Sequence, residues 1–349
     1  MIRNGDLTLN QILAVADHID FRKLAEVLME QEGFQSIACG HETISRLNAV
    51  CVKIGSLGEG AVDRMLAEEF EFILDNGKIA VREKERPPVD ANGRFIFENF
   101  GITGFTNPDW SYGFDQSIEP GYEEIMERAK YVFQVKDIGL TAAQFREKAE
   151  AKRAEVIAGP YANLFKGKHT RPFAIVLPSV KIAKGGLGKV LAEIFVPAIE
   201  RGYKHEQYGF PKRAFNNRRK GTLEGQVETF PGSRQERLIA AMAEGPVVLW
   251  VFMNCLQGGS FNADRGLIGK LHAEFMLGGT IANGTVVAVY PEIAAASSKN
   301  PLYYNAADMW WFSARSLIFY PNDSGLAFDG WGGLGDRLDY VSGSMVLLA

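Results

Sequence analysis

Between residues 201 and 237 the chain carries nine Lys and Arg against four Glu, with aromatic side chains set among them. The cations are Arg201, Lys204, Lys212, Arg213, Arg218, Arg219, Lys220, Arg234 and Arg237, and the aromatics include Tyr203, Tyr208, Phe210 and Phe215. Positive side chains neutralise phosphates or carboxylates, and aromatic faces stack on unpaired bases, so this composition points to an acidic partner. Three partners fit: a nucleic acid, another subunit, or the chain's own acidic front half. Lys204, Lys212, Arg213, Arg218, Arg219 and Lys220 are the candidate contact residues.

Other residue types suggest chemistry without completing it. Cys39, His41 and Cys51 would offer zinc three ligands, but the paired spacing of zinc sites is absent, so no metal site is expected. Cys255 and His272 would make a nucleophile and base only if folding brought them together. In the tail, Trp310, Trp311, Phe312, Phe319, Tyr320, Phe328 and Trp331 lie among Asp308, Asp323, Asp329, Asp336 and Asp339. Aromatic walls with paired carboxylates build acid/base clefts for carbohydrates. The same residues equally serve as a β core with aspartates forming turns.

A second anion-binding candidate is the glycine-rich loop of Lys184, Gly185, Gly186, Leu187, Gly188 and Lys189. Glycines let backbone N–H groups wrap a phosphate, the helix that follows favours an anion, and Lys189 would reach the outer phosphates. These six residues resemble the deviant Walker A motif of the partitioning and septum-site ATPases, KGGxGK followed by Thr. The resemblance implies phosphate binding by Lys184, Gly185, Gly186, Gly188 and Lys189. Val190 stands where the motif carries the Mg²⁺-binding hydroxyl, and no later strand ends in the matching aspartate, so hydrolysis is not implied. A plain turn between strand and helix explains the glycines as well.

The bulk properties set the frame for these residues. At 349 residues, with 46% apolar and 23% charged side chains, the chain has room for two domains of ordinary globular composition. Residues 1–150 hold 16 Lys and Arg against 26 Asp and Glu, while the remainder holds 22 against 16. An acidic front and a basic back suggest faces that attract each other. The longest apolar run, 246–255, is strand-sized, so no membrane span is expected. Three widely spaced cysteines argue against a disulfide framework and point to a reducing, cytoplasmic setting.

Apolar spacing and capping residues predict helices over 8–16, 21–33, 41–54 and 59–74, then 119–134, 141–157, 233–243 and 264–277. Alternation predicts strands at 78–83 and 94–100, joined as a β-hairpin, and apolar runs predict later strands at 173–177, 247–253, 285–290, 316–320 and 344–348. Helices followed by a hairpin suggest a winged helix, but the acidic face of 59–74 would be repelled by phosphates. Gly, Pro, Asn and Asp over 101–118 read as a linker.

The expected fold class is therefore α+β: a helical N-terminal module with a β-hairpin over 1–100, the linker 101–118, and a larger mixed α/β domain over 119–349 carrying the basic loop 201–237. No complete catalytic set and no cofactor is implied. The leading expectation is a non-catalytic binding or assembly protein. It would self-associate through the acidic front half and the basic loop, or bind nucleic acid. The alternative is a nucleotide-binding protein using 184–189.

Overall fold

The computed structural model describes residues 70–75, 78–83, 87–106, 120–167, 170–295, 302–310, 315–322, 324–331, 335 and 341–349. The expected helices up to residue 69, the Cys39, His41 and Cys51 set and residues 107–119 lie outside the described residues. The chain divides into two compact units, Met1–Arg86 and Pro87–Ala349. Counted by unit, Met1–Arg86 carries 10 Lys and Arg against 15 Asp and Glu, and Pro87–Ala349 carries 28 against 27.

In the first unit, β1 (Phe70–Asp75) and β2 (Lys78–Glu83) form an antiparallel hairpin, with Phe70 opposite Glu83 and Asp75 opposite Lys78. The β2 strand is the expected one, but its partner is not 94–100. FEFILD, expected as the end of a helix, alternates with period two and is followed by the Asp75-Asn76-Gly77 turn signal, which favours a hairpin. Residues 94–100 instead make a single bridge, Val89 to Phe95, and a 3₁₀ turn at Phe97–Phe100.

The second unit is α+β, built on one mixed sheet of eight strands. In spatial order these are β3 (Arg171–Leu177), β6 (Val247–Gln257), β12 (Val341–Leu348), β8 (Leu302–Tyr304), β10 (Ser316–Asn322), β11 (Gly325–Trp331) and β4 (Ala214–Asn217), with β7 (Met276–Leu277) also on β12. The pairs β12–β8 and β11–β4 are parallel and the others antiparallel. A two-stranded sheet pairs β5 (Val227–Thr229) with β9 (Asp308–Trp310). The strand β6 is buried along its whole length, and the apolar run 247–253 fills its first seven positions, as a central strand requires. Opposite Gly343 and Ser344 it bulges, with Asn254 at φ 64°. Beside the bulge the Cys255 carbonyl accepts from Phe95 N at 2.8 Å, which ties residues 87–106 to this sheet.

Helix α1 (Tyr122–Phe133) buries one face, and α2 (Ala142–Ile157) starts at the expected capping box of Thr141 and Gln144. The short α3 (Asn163–Lys166) sends Phe165 edge-on to Trp250 and Phe252 of β6, at 4.9 and 5.1 Å. Residues 187–203 run as α4 (Leu187–Val190), a π turn (Leu191–Phe195) and α5 (Val196–Tyr203). Pro197 lies just beyond the π turn. It cannot donate a helical hydrogen bond, and the wider turn before it absorbs the fault. Next come α6 (Gln235–Glu244) and α7 (Phe261–Ile268), the latter capped by the Ser260 hydroxyl. The helix expected over 264–277 thus starts earlier and stops at Ile268.

The last helix, α8 (Thr280–Val289), replaces a strand expected at 285–290. It is rich in β-branched residues, which locally favour strand. Every one of its residues is buried, so burial on all sides erased the helical period from the sequence. The buried Thr285 hydroxyl is satisfied within the helix by donating to the Ile281 carbonyl at 2.7 Å.

Candidate functional site

Most of the arginines in the basic segment are held by the body of the protein. Arg201 donates to the Val132 carbonyl at 2.6 Å. Arg213 lies 4.7 Å over the Phe210 ring. Arg218 and Arg219 both pair with Asp329, and Arg219 also lies 4.4 Å over Trp310. Burial pulls the Asp329 carboxyl up, but hydrogen bonds from Gly330 N and Arg219 outweigh this and hold it below its ordinary range. Arg234 donates to the carbonyls of Leu271, His272 and Phe275, and Arg237 to that of Ala273. These two fasten the loop that follows α7.

What remains outward is a smaller set. Lys204, Lys212 and Lys220 are exposed, and their side chains have no hydrogen-bond or ion-pair partner among the described residues. Lys212 and Lys220 bracket β4, and Arg218 keeps 57% of its side chain exposed beside it. The strand β4 ends the sheet: it pairs with β11 and with no other described strand, and its side chains alternate between exposed and half-buried. The candidates Lys212, Arg213, Arg218, Arg219 and Lys220 therefore gather on one sheet edge, while Lys204 sits at the end of α5.

The glycine loop has a different environment from a phosphate cradle. Its strand β3 ends the sheet on the other side and runs antiparallel to β6. Lys184 and Gly185 are exposed, and Gly185 turns at φ 72°. Gly186 N is used by the Ala183 carbonyl at 2.8 Å. Gly188 is buried, and a Cβ there would fall under 3.0 Å from the Leu223 carbonyl. Lys189 lies 3.9 Å from Glu193 on the next turn. Gly188→Ala is therefore expected to destabilise the fold by about 1–3 kcal/mol through overpacking. Melting curves of both proteins, with and without ATP and Mg²⁺, check it: the same loss should appear in each condition.

The remaining sequence candidates separate. Cys255 is fully buried and burial pushes its thiol well up, whereas 66% of the His272 side chain is exposed. A thiol held protonated away from its base is no nucleophile. Asp308 is buried and accepts from Thr280 N at 2.7 Å and from Gln235 at 3.0 Å, so it caps α8 internally. Burial raises its carboxyl against these bonds. Arg265 crosses beside it, donating to the Ala306 and Asp308 carbonyls at 3.1 and 2.9 Å, and burial brings its guanidinium down to about 10. Of the tail aspartates, the two among the described residues serve as a buried cap, Asp308, and an arginine partner, Asp329; Asp323, Asp336 and Asp339, with Trp311 and Phe312, lie outside the described residues.

Sequence reasoning missed a cleft of about 490 Å³. Four separate stretches build it: the start of α1, the outer part of α2, the end of α3 with β3, and Trp250 with Tyr290. Its lining carries Arg153, Lys166 and Arg171 against Glu150. No single stretch of sequence holds the signal, since Arg153 and Glu150 read as part of a solvated helix face. Among the described residues no group of three or more His, Cys, Asp or Glu is placed to hold a metal ion.

These features define an α+β protein with a cation-rimmed sheet edge and a separate polar cleft. No protein-family model, curated protein or solved structure matches the chain.

Proposed function

We propose that this protein is a non-catalytic binding protein that takes an acidic, extended polypeptide segment along β4. The observation that carries the reading is the edge itself: β4 ends the sheet, and Lys212, Arg218 and Lys220 flank it outward. An edge strand offers unpaired backbone N–H and C=O groups, so an incoming strand gains main-chain hydrogen bonds. Flanking cations select an acidic sequence and also deter the edge from pairing indiscriminately. The acidic Met1–Arg86 portion of a second copy supplies a segment of the right sign, which links the reading to self-association.

Poly-L-glutamate and a single-stranded DNA of equal charge serve as probes for the full chain, with Lys212→Glu/Lys220→Glu as the variant. Both lysines are exposed, so the variant should keep the wild-type melting temperature. Poly-L-glutamate should bind the wild type, weaken steeply with salt, and lose at least tenfold in affinity to the variant. Salt-dependent dimerisation, followed by sedimentation, should drop in parallel. Tighter binding of the DNA than of poly-L-glutamate would replace this reading with a nucleic-acid one. Binding unchanged by both salt and charge reversal would remove it.

A further inference from the structure

We propose that the cleft lined by Arg153, Lys166 and Trp250 binds a small organic anion: a phosphate or carboxylate carried on a flat ring, of nucleoside-monophosphate size. Its 490 Å³ lies within the range of about 300–1,000 Å³ found for small-molecule sites.

The charge of the lining decides for an anion. Three cationic residues face one carboxylate, and that carboxylate is already engaged. Glu150 accepts from the Tyr122 hydroxyl at 2.5 Å and from Arg153 at 3.4 Å. A guanidinium has five N–H donors, so one weak bond to Glu150 leaves Arg153 most of its capacity. Lys166 is exposed at the end of α3. Arg171 is buried in the wall, with its guanidinium 5.0 Å from the Phe173 ring and 6.0 Å from that of Tyr290.

The start of α1 adds to this. Its cap position is Gly121, with no side-chain cap, and Gly121, Tyr122 and Ile125 all line the cleft. The N-terminus of this 12-residue helix therefore presents first-turn N–H groups and the positive end of its dipole. Two glutamates in that turn could have neutralised it. They are drawn elsewhere, Glu123 to Arg146 at 3.3 Å and Glu124 to Arg128 at 2.6 Å. Thr170, 1% exposed, also lines the cleft, and its hydroxyl has no hydrogen-bond partner among the described residues.

The aromatic side chains decide for a ring. Trp250 spends its indole N–H on the Ala149 carbonyl at 2.8 Å, and Tyr290 spends its hydroxyl on the Ala174 carbonyl at 2.8 Å. Their polar atoms are occupied and they are only 5% and 3% exposed, so they back the wall, and the ring surface that a ligand meets is that of the half-buried Tyr122 and Phe165. With Tyr122 and Phe165 they line a cleft that can take a flat group by stacking or edge contact, while the cations hold its charge. An inorganic anion would use only half of this site.

The test is a titration of the full chain, read by tryptophan fluorescence and by melting temperature. The probes are adenosine 5′-monophosphate and naphthalene-2-carboxylate, with adenosine and inorganic phosphate as the ring-only and anion-only halves. At least one of the first two should bind saturably and raise the melting temperature, and each half alone should bind at least tenfold more weakly. Preference between the two assigns the anion as phosphate or carboxylate. Arg153→Ala/Lys166→Ala, both at exposed positions, should lower the affinity at least tenfold. Should that double variant melt early, Lys166→Ala alone gives the same comparison with a smaller loss. The edge variant Lys212→Glu/Lys220→Glu should bind these probes as the wild type does, which keeps this proposal separate from the one for β4. Absence of saturable binding by both ring anions, or equal affinity in wild type and variant, overturns the assignment.

Discussion

Gly202→Ala is expected to lower the melting temperature by about 5–10 °C, corresponding to a loss of about 2–3 kcal/mol for a unit of this size. Gly202 lies near the end of α5, where that helix crosses α8, and a Cβ there would fall under 3.0 Å from the Ala288 carbonyl carbon and oxygen. Two effects oppose each other. Alanine is the better helix residue by about 1 kcal/mol, which would favour the variant. Against that, the atoms in the way belong to the backbone of a fully buried helix and have no rotamer to move into. The helices must separate, and every contact along the crossing loosens, so the clash wins. Gly284, on the facing helix, provides the control. A Cβ there meets the side chains of Ile199 and Phe319, and a side chain can give way. Gly284→Ala should therefore lose less than Gly202→Ala when both are measured by thermal and urea unfolding. The reverse order would refute the account of a backbone-limited crossing.

Asp264→Asn should gain stability relative to the wild type as pH rises. Asp264 is 0% exposed, and neither carboxylate oxygen has a hydrogen-bond partner among the described residues. A Cβ on Gly259 or Gly343 would clash with one or other of these oxygens, so the carboxyl fills the space that those glycines leave. The Tyr304 hydroxyl gives its one proton to the Gly259 carbonyl, and Arg265 directs its guanidinium to carbonyls. Burial consequently pushes the Asp264 carboxyl well above its ordinary range. The sign follows from proton counting. Above about pH 4 the unfolded chain has released this proton while the folded protein keeps it. Stability then falls by about 1.4 kcal/mol for each pH unit over which the folded protein holds the extra proton, until the folded group titrates. Asparagine has no proton to hold and no such slope. Burial raises Asp308 and Glu292 as well, but they titrate alike in both proteins and cancel in the comparison. Urea unfolding at pH 5, 6, 7 and 8 should show the difference between variant and wild type growing with pH. A difference that stays flat would mean that Asp264 is ionised in the fold.

How legible the molecule was depends on how far apart the deciding residues lie. The capping box of Thr141 and Gln144, the hydrophobic stripe of 122–133 and the alternation in KIAVRE are local, and each predicted its element. The run 247–253 announced a buried strand because no polar residue interrupts it, and the fold extends that strand to Gln257. Thr280–Val289 misled for the same reason in reverse: a helix buried on every side shows no period, and its β-branched residues then read as strand.

The charged and glycine-rich motifs show the limit more sharply. From the sequence, 201–237 is a run of cations. In the fold, Asp329, about a hundred residues further on, holds two of them, and the carbonyls of 271–275 hold two more. Only the outward remainder beside β4 keeps the character that the sequence suggested. Gly188 likewise reads as room for a phosphate, while its neighbour in space is the Leu223 carbonyl. The cleft gave no sequence signal at all, because its cations, rings and helix end come from separate stretches that meet only in the fold.

The sequence by itself thus determined the α+β class, the capped start of α2 and the apolar run of the buried strand, since periodicity and capping act within a few residues. Tertiary structure alone decided which cations stay outward, which carboxylate is buried without a partner, and where a cleft opens. Those outcomes depend on desolvation and on partners distant in the chain, and no local pattern encodes them.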